Sequence, residues 1–316
     1  MGERLLLAAW IGAIAWPVLL CFWLWRARRK RRRPAAIYIA YASLVSLAWA
    51  CLAWAFLIEP EMLVVRRIEV VSPRWSGPPL RIGIISDIHS GAPHMRPARL
   101  AGIVARMNAE HPDVVVLLGD FAGRHEAAEL RNDADRSKVM EGFPPLKQLS
   151  APLGVVAVLG NHDQWYDPAA IRAALVAEGI PVLENTNRRI DRPDGPFWLA
   201  GLVDMDAAND APSHTKALAG VPEAEPVIVL SHWPDPFAWG PPRPAITLAG
   251  HSHCGQVNIP FVGRPIHASR GSQRWPCGLY TEEGRLLYVT GGVGVSILPV
   301  RFNQPPEIVI LTLRAP

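Results

Sequence analysis

Aspartate, asparagine and histidine recur at the ends of short apolar runs, as Asp87-x-His89, Gly119-Asp120, Gly160-Asn161-His162-Asp163, His232 and Gly250-His251-x-His253. Carboxylate oxygen, amide oxygen and imidazole nitrogen gathered together suit Mn, Fe or Zn better than Ca or Mg. The donors suffice for two divalent ions sharing one carboxylate, a layout that clamps both sides of a phosphoryl displacement. These residues point to a hydrolytic enzyme.

The runs before them are the elements that must hold them. Leu80–Ser86, Asp113–Leu118, Val155–Leu159, Val227–Leu230 and Ala245–Ala249 are apolar almost throughout, the pattern of strands in a sheet covered on both faces. Helical spacing over Pro97–Glu110 and Pro168–Glu178 places helices between the early strands, and Ile68–Val71 is β-prone. Gly123–Ser137 is polar and charged, and is expected to be a loop or short helix. Further on, Phe197–Gly201, Leu286–Thr290 and Ile308–Leu313 read as strands separated by Pro/Gly-rich turns, with little room for helices. A second sheet packed on the first follows. Every candidate ligand stands just beyond a strand, where sites gather in open α/β sheets.

In this order the motifs resemble the calcineurin-like metallophosphoesterases, over about residues 80–313. Ser231-His232-x-Pro234-Asp235, Gly250-His251-Ser252-His253-Cys254-Gly255-Gln256 and the tail Arg301-Phe302…Pro305-Pro306-Glu307-Ile308 are similar to the YkuE/YaeI-type membrane-associated phosphodiesterases. The resemblance implies a four-layer α/β/β/α sandwich and two divalent metal ions, Mn first, with Fe or Zn as alternatives. It implies that Asp87, His89 and His253 bind one ion, that Asn161, His232 and His251 bind the other, and that Asp120 bridges them. His162 would meet the leaving-group or phosphate oxygen, with Asp163 orienting it. Two cations would acidify a bridging water enough to attack phosphorus as hydroxide. Many relatives carry a carboxylate where this chain has Gly123, which leaves an outer role vacant.

Other polar residues fit blander roles. His94, His111, His125, His214 and His267 have no motif around them and are expected on the surface or in a satisfied core; His94 is the exception, since the loop after His89 borders the site. Asp204, Asp206 and Arg301 fit the surface at least as well as the site. Ser86 and Ser231 lack the Gly-x-Ser-x-Gly elbow of a serine hydrolase.

The N-terminal part is of another kind. Residues 5–25 and 34–58 carry no charged side chain, and each stretch exceeds the roughly 20 residues that cross a bilayer core as a helix. Seven of the eight residues Arg26–Arg33 are basic, and six of the twelve tryptophans fall in the same region. A two-helix transmembrane hairpin over residues 1–58 with a basic loop at 26–33 is expected, then a connector at 59–79 and a phosphoesterase domain at 80–316. The positive-inside rule puts the basic loop in the cytoplasm of a bacterial inner membrane and the domain on the periplasmic or outer face. Residues 1–58 hold a net charge of +7 against +4 for the whole chain, so the remainder is near −3 and nucleic acid is not an expected partner. The partners are the bilayer and a phosphate-ester substrate, with lipid-linked esters suggested by the anchor. The Trp/Phe/Pro-rich loop His232–Arg243 is a candidate to dip into the headgroups. Cys254 and Cys277 are free to pair by compartment but not by any geometry that sequence shows, and a spectator thiol at Cys254 is slightly favoured.

The expected function is thus hydrolysis of phosphodiester or pyrophosphate bonds at a membrane. The first alternative is a UDP-2,3-diacylglucosamine pyrophosphatase of lipid A synthesis, whose substrate lies on the cytoplasmic face, against the predicted topology. A non-catalytic, metal-containing membrane module is the second; an intact His162 argues against it.

Overall fold

The computed structural model describes residues 2–29, 36–123 and 133–316. Lys30–Arg33 of the basic run and His125 lie outside these residues. Two long helices come first, α1 (Gly2–Arg29) and α2 (Ala36–Ala53), and both are long and apolar enough to cross a membrane. They pack on each other: Trp16 Nε1 donates to Ser46 Oγ at 3.1 Å, and the Trp49 ring fills the space that a side chain at Gly12 would need. A widened turn at Trp54–Ile58 and a tight one at Glu59–Glu61 then lead into β1 (Val64–Val71).

Beyond β1 the chain runs β2 (Leu80–Ile85), α3 (Pro97–Asn108), β3 (Val114–Leu118), α4 (Asp133–Met140), β4 (Val155–Val158), α5 (Asn161–Tyr166) and α6 (Pro168–Ala177). It continues through β5 (Thr186–Ile190), β6 (Phe197–Gly201), α7 (His214–Ala217), β7 (Val227–Leu230), β8 (Ile246–Ala249), α8 (Arg270–Arg274), β9 (Gly278–Glu282), β10 (Arg285–Val289) and β11 (Glu307–Arg314). Two sheets result, in the orders β1-β11-β2-β3-β4 and β5-β6-β7-β8-β10-β9. β1 lies on the connecting stretch and pairs in parallel with β11 from Val64↔Glu307 to Val71↔Arg314.

Alternation along the strands builds the layers. In β3, Val114, Val116 and Leu118 face the second sheet, where they meet Leu199, Ile228, Leu230, Ile246 and Leu248. Val115 and Leu117 point the other way, onto Leu100, Ile103 and Met107 of α3 and Ile171 and Leu175 of α6. Small helices and turns cover the far side of the second sheet through Ala217, Phe237 and Trp275. The four layers expected from the sequence are present. Each buried Leu or Ile contributes roughly 1.5–3 kcal/mol, so the double-sided strands are the fold's main source of stability.

β2, β3 and β4 are mutually parallel, as are β6, β7, β8 and β10. Their carboxyl ends therefore deliver five motif-bearing loops to one end of the sandwich. Two strands are absent from the sequence reading: β5 (Thr-Asn-Arg-Arg-Ile) and β9 (Gly-Leu-Tyr-Thr-Glu) are edge strands too polar to stand out. Just beyond β4, Asn161-His162-Asp163 opens a short helix.

Candidate metal centre

Five of the seven expected ligands have left-handed backbone: Asp87 (φ 55°), His89 (φ 50°), Asp120 (φ 57°), His251 (φ 64°) and His253 (φ 48°). Non-glycine residues there cost on the order of 1 kcal/mol or more each, a cost tolerated where the surroundings over-determine the position. The turn reverses each chain directly after its strand and aims the side chain back across the strand ends.

The side chains converge in two groups with one member in common. Asp87, His89, Asp120 and His253 bring one ligand atom each within 4.8 Å of one another, and Asp120, His232 and His251 do the same. Asn161 joins the second group, its Oδ1 lying 3.1 Å from His232 Nε2. Asp120 Oδ2 stands 3.3 Å from His232 Nε2 and 3.6 Å from His89 Nε2, between the two groups. All seven residues expected to be ligands are thus brought together, and all are buried.

The donor set fits cations. His89 Nδ1 faces the Ala122 carbonyl at 3.2 Å and His232 Nδ1 faces that of Leu118 at 2.7 Å. A carbonyl only accepts, so each Nδ1 carries a proton and each Nε2 is left to coordinate. His89 Nε2 and His253 Nε2 lie 3.0 Å apart, a contact that needs a positive charge or proton between them. His251 Nε2 is buried with no hydrogen-bond partner among the described residues. Burial opposes a charge on His232, but the Asp120 carboxylate outweighs it and raises the ring to about 10. Burial likewise works against ionised Asp120, yet the charge of His232 and its neighbours holds that carboxyl well below the ordinary range. Burial, with the nearby Asp120 charge, pushes Asp87 up to about 6, and burial together with neighbouring positive charges holds His251 and His253 well below the usual imidazole value. Such a cluster fits divalent cations, which would take over the charge balance from protons.

His162 sits beside both groups. Its Nε2 is 3.9 Å from Asp120 Oδ2 and 3.3 Å from Ser296 Oγ, its backbone N–H donates to Asp120 Oδ1 at 2.9 Å, and its ring packs edge-on to His89. Asp163 has a different setting from the one expected. Its two oxygens accept the backbone N–H groups of Asp120, Gly160, Phe121 and Ala122 at 2.8–3.0 Å, so the carboxylate braces the loop after β3 against the start of α5. It thereby places Asp120 and the turn carrying His162. Burial and the Asp120 charge push its carboxyl up to about 8, against the pull of the N–H donors.

Several contributors were not legible as such. Arg301, assigned at least equally to the surface, is 0% exposed. It donates to the carbonyls of Gly291, Gly294 and Gln304, and its Nη2 comes within 3.4 Å of His253 Nδ1. Asp204 is buried too; it accepts from Trp233 Nε1 at 2.9 Å, and the Trp233 ring stacks on His251 at 3.8 Å. Asp206 accepts from Trp165 Nε1. Of the loop His232–Arg243, Phe237 is buried and Trp233 belongs to the centre, leaving Trp239 as its exposed aromatic. Gly123 presses on the His89 carbonyl, so a Cβ there would collide with backbone. Cys254 is not a spectator: it is in a disulfide with Cys277, the two Cα atoms 4.8 Å apart.

Comparison with known proteins agrees with this geometry. The model of the calcineurin-like phosphoesterase family matches residues 80–255. A transmembrane protein with metallophosphoesterase domain from Danio rerio is 31% identical over 81% of this chain and 58% of its own length. The chain therefore spans little more than half of that protein. Phosphodiesterase YaeI of Escherichia coli is 30% identical, over 81% of this chain and 90% of its own. UDP-2,3-diacylglucosamine pyrophosphatase LpxG of Chlamydia trachomatis is 27% identical, over 84% and 92% respectively. With the matched region carrying all seven convergent donors, the chain belongs to the calcineurin-like phosphoesterase family.

Proposed function

We propose that this chain is a membrane-anchored, dinuclear-metal phosphoesterase that hydrolyses phosphodiester or pyrophosphate bonds of lipid-linked substrates. The observation that carries the reading is the pair of buried donor groups sharing Asp120. Asp87, His89 and His253 would hold one divalent ion and Asn161, His232 and His251 the other, with Asp120 between them; manganese suits the mixed oxygen and nitrogen donors. Bound there, such ions neutralise phosphoryl oxygens and acidify the attacking water. His162, beside Asp120 and Ser296, is placed to give a proton to the departing oxygen. Asp163 keeps Asp120 and His162 in register through the backbone. Arg301 fixes the turn behind His253. Phosphoryl transfer asks the protein for little more than this positioning and charge.

The anchor supports a lipid substrate, since α1 and α2 would keep the centre near the headgroups. The Cys254–Cys277 disulfide supports the outer face of a bacterial inner membrane, because such bonds persist in oxidising compartments. The similarity to LpxG favours a second reading, cleavage of a nucleotide diphosphate-linked lipid such as UDP-2,3-diacylglucosamine, for which the site would have to face the cytoplasm. A test of topology separates the two.

Asp120→Asn is the decisive variant. It should lower metal-dependent hydrolysis of an aryl phosphodiester by on the order of a thousandfold, since the shared carboxylate is lost while volume is kept. Full activity in a folded Asp120→Asn protein sinks the mechanism.

A further inference from the structure

Between the metal-centre turn and β9 the chain makes an excursion over residues 255–276, closed at its base by the Cys254–Cys277 disulfide. Its outermost turn is a small hairpin in which Ile259 and Gly263 exchange backbone hydrogen bonds at 2.8 Å. At that tip Phe261 is 110% exposed and Val262 72%, and Ile266 follows at 57%. Phe261 also has φ 68°, a conformation that bulky residues rarely take. Packing within the domain accounts for none of this, because the tip buries nothing.

Charge sets the tip apart as well. From 236 to 281 the sequence holds no Asp or Glu, while Arg264, Arg270 and Arg274 follow the apolar tip. Arg270 is exposed; Arg264 donates to the Cys254 carbonyl, and Arg274 is paired with Glu282. Exposed apolar side chains beside basic ones are what an anionic lipid surface attracts.

The root of the excursion is tied to the anchor. Asn258 N donates to the Phe302 carbonyl and Phe302 N to that of Gln256, both at 2.9 Å. One residue back, Arg301 N donates to the carbonyl of Ala55, in the turn that ends the second apolar helix. Asn303 N and Gln304 N donate to the buried Glu59 carboxylate at the same place. At no more than about 3.3–3.6 Å per residue, the Phe261 tip lies within about 20 Å of Ala55, in the turn that ends the second apolar helix. The same root borders the metal centre: Gln256 exchanges two hydrogen bonds with Ser296, whose Oγ reaches His162, and the neighbouring Ile297 is 75% exposed.

We propose that this finger is a third membrane contact, in which Phe261 and Val262 enter the headgroup–acyl boundary beside α2 and Arg270 meets anionic phosphates. The finger then holds the mouth of the metal centre against the leaflet, so that the substrate is a phosphate ester of an amphiphile taken without leaving the bilayer. The contact rests on the anchoring part of the function proposed above and not on its metal chemistry.

The test uses the full chain with Cys21 and Cys51 replaced by serine and the disulfide intact. A spin label at Phe261→Cys, in vesicles of phosphatidylethanolamine and phosphatidylglycerol, is compared with one at Glu223→Cys, a 91% exposed side chain far along the sequence. The expected result is a Phe261 label open to oxygen and closed to a water-soluble nickel chelate, with the control open to nickel. Equal nickel access at both sites overturns the proposal, and so does a label shielded from both reagents, which would mark a protein contact. A label at Leu44→Cys reports the anchor separately. Phe261→Ser/Val262→Ser should raise KM for a vesicle-borne phosphodiester about tenfold and leave that for a soluble aryl diester unchanged. A parallel change in both would mean that the finger shapes the site, and would overturn the membrane role.

Discussion

The hairpin and the metal centre break the ordinary rule of burial in opposite directions. In the hairpin, Leu7, Ile14, Val18 and Leu44 are 61–65% exposed. At the centre, Asp87 and His89 are 0% exposed and Asp120, Asn161 and His232 only 2%. Exposed hydrocarbon is costly in water, and buried charge without partners is costly anywhere. On the proposed function each region would be completed by something outside the chain, acyl chains in one case and cations in the other. The difference lies in what holds each region in shape meanwhile. The centre is over-determined by two sheets, four N–H donors on Asp163 and the hydrogen bonds of Arg301. Among the described residues, the two apolar helices are joined by one side-chain hydrogen bond, Trp16 to Ser46, and by close packing at Gly12.

The largest effect should come from offering the centre a divalent cation. Manganese at a thousandfold above its dissociation constant should stabilise the domain by about 4 kcal/mol, visible as a raised Tm in a thermal scan. Asp120→Asn should lose most of that shift, since both donor groups include Asp120. A Tm indifferent to manganese would mean that the buried donors satisfy one another, and the contrast between the two regions would fail.

How much of this was legible follows from the same contrast. The strands that carry ligands were readable because they are buried on both faces and hence apolar throughout, as in Val114–Leu118. Their ends were readable because few other uses exist for Asp, Asn and His just past such runs. β5 and β9 were not: one face of an edge strand is wet, and Thr186–Ile190 has only Ile190 buried. The roles of Arg301 and Trp233 were not readable because they depend on which loops approach them, not on their neighbours in sequence. The bond between Cys254 and Cys277 depends on two turns meeting across 23 residues. The exposed finger at Phe261 was hidden for a related reason, since an apolar tripeptide in a Pro/Gly-rich stretch reads equally well as packed or free.

The disulfide gives the next effect in size. It closes a loop of 23 residues directly after His253, and replacing both cysteines by serine should cost about 3 kcal/mol in denaturant unfolding of the intact protein. The loss should grow in metal-free protein relative to the metal-loaded form, because a bound ion also pins the His253 turn. Equal losses in the two forms would separate the disulfide from the centre and confine its role to the finger.

The hairpin should respond least, and its response tests whether it is held as the domain is. Within acyl chains there is no hydrophobic gain from bringing two apolar helices together, so fit and hydrogen bonding decide. Gly12→Leu would force a side chain into the Trp49 ring, an overpacking worth about 1–3 kcal/mol. Ser46→Ala removes the Trp16 bond alone and should cost about 0.6 kcal/mol. Cys21 and Cys51 are exposed and lie on different helices, so labels on them read the separation of α1 and α2 during a detergent-driven opening without any new cysteine. If Ser46→Ala proved as costly as Gly12→Leu, the hairpin would be held by its polar contact in the manner of the centre. The expected order, with Gly12→Leu the more damaging, places its stability in shape.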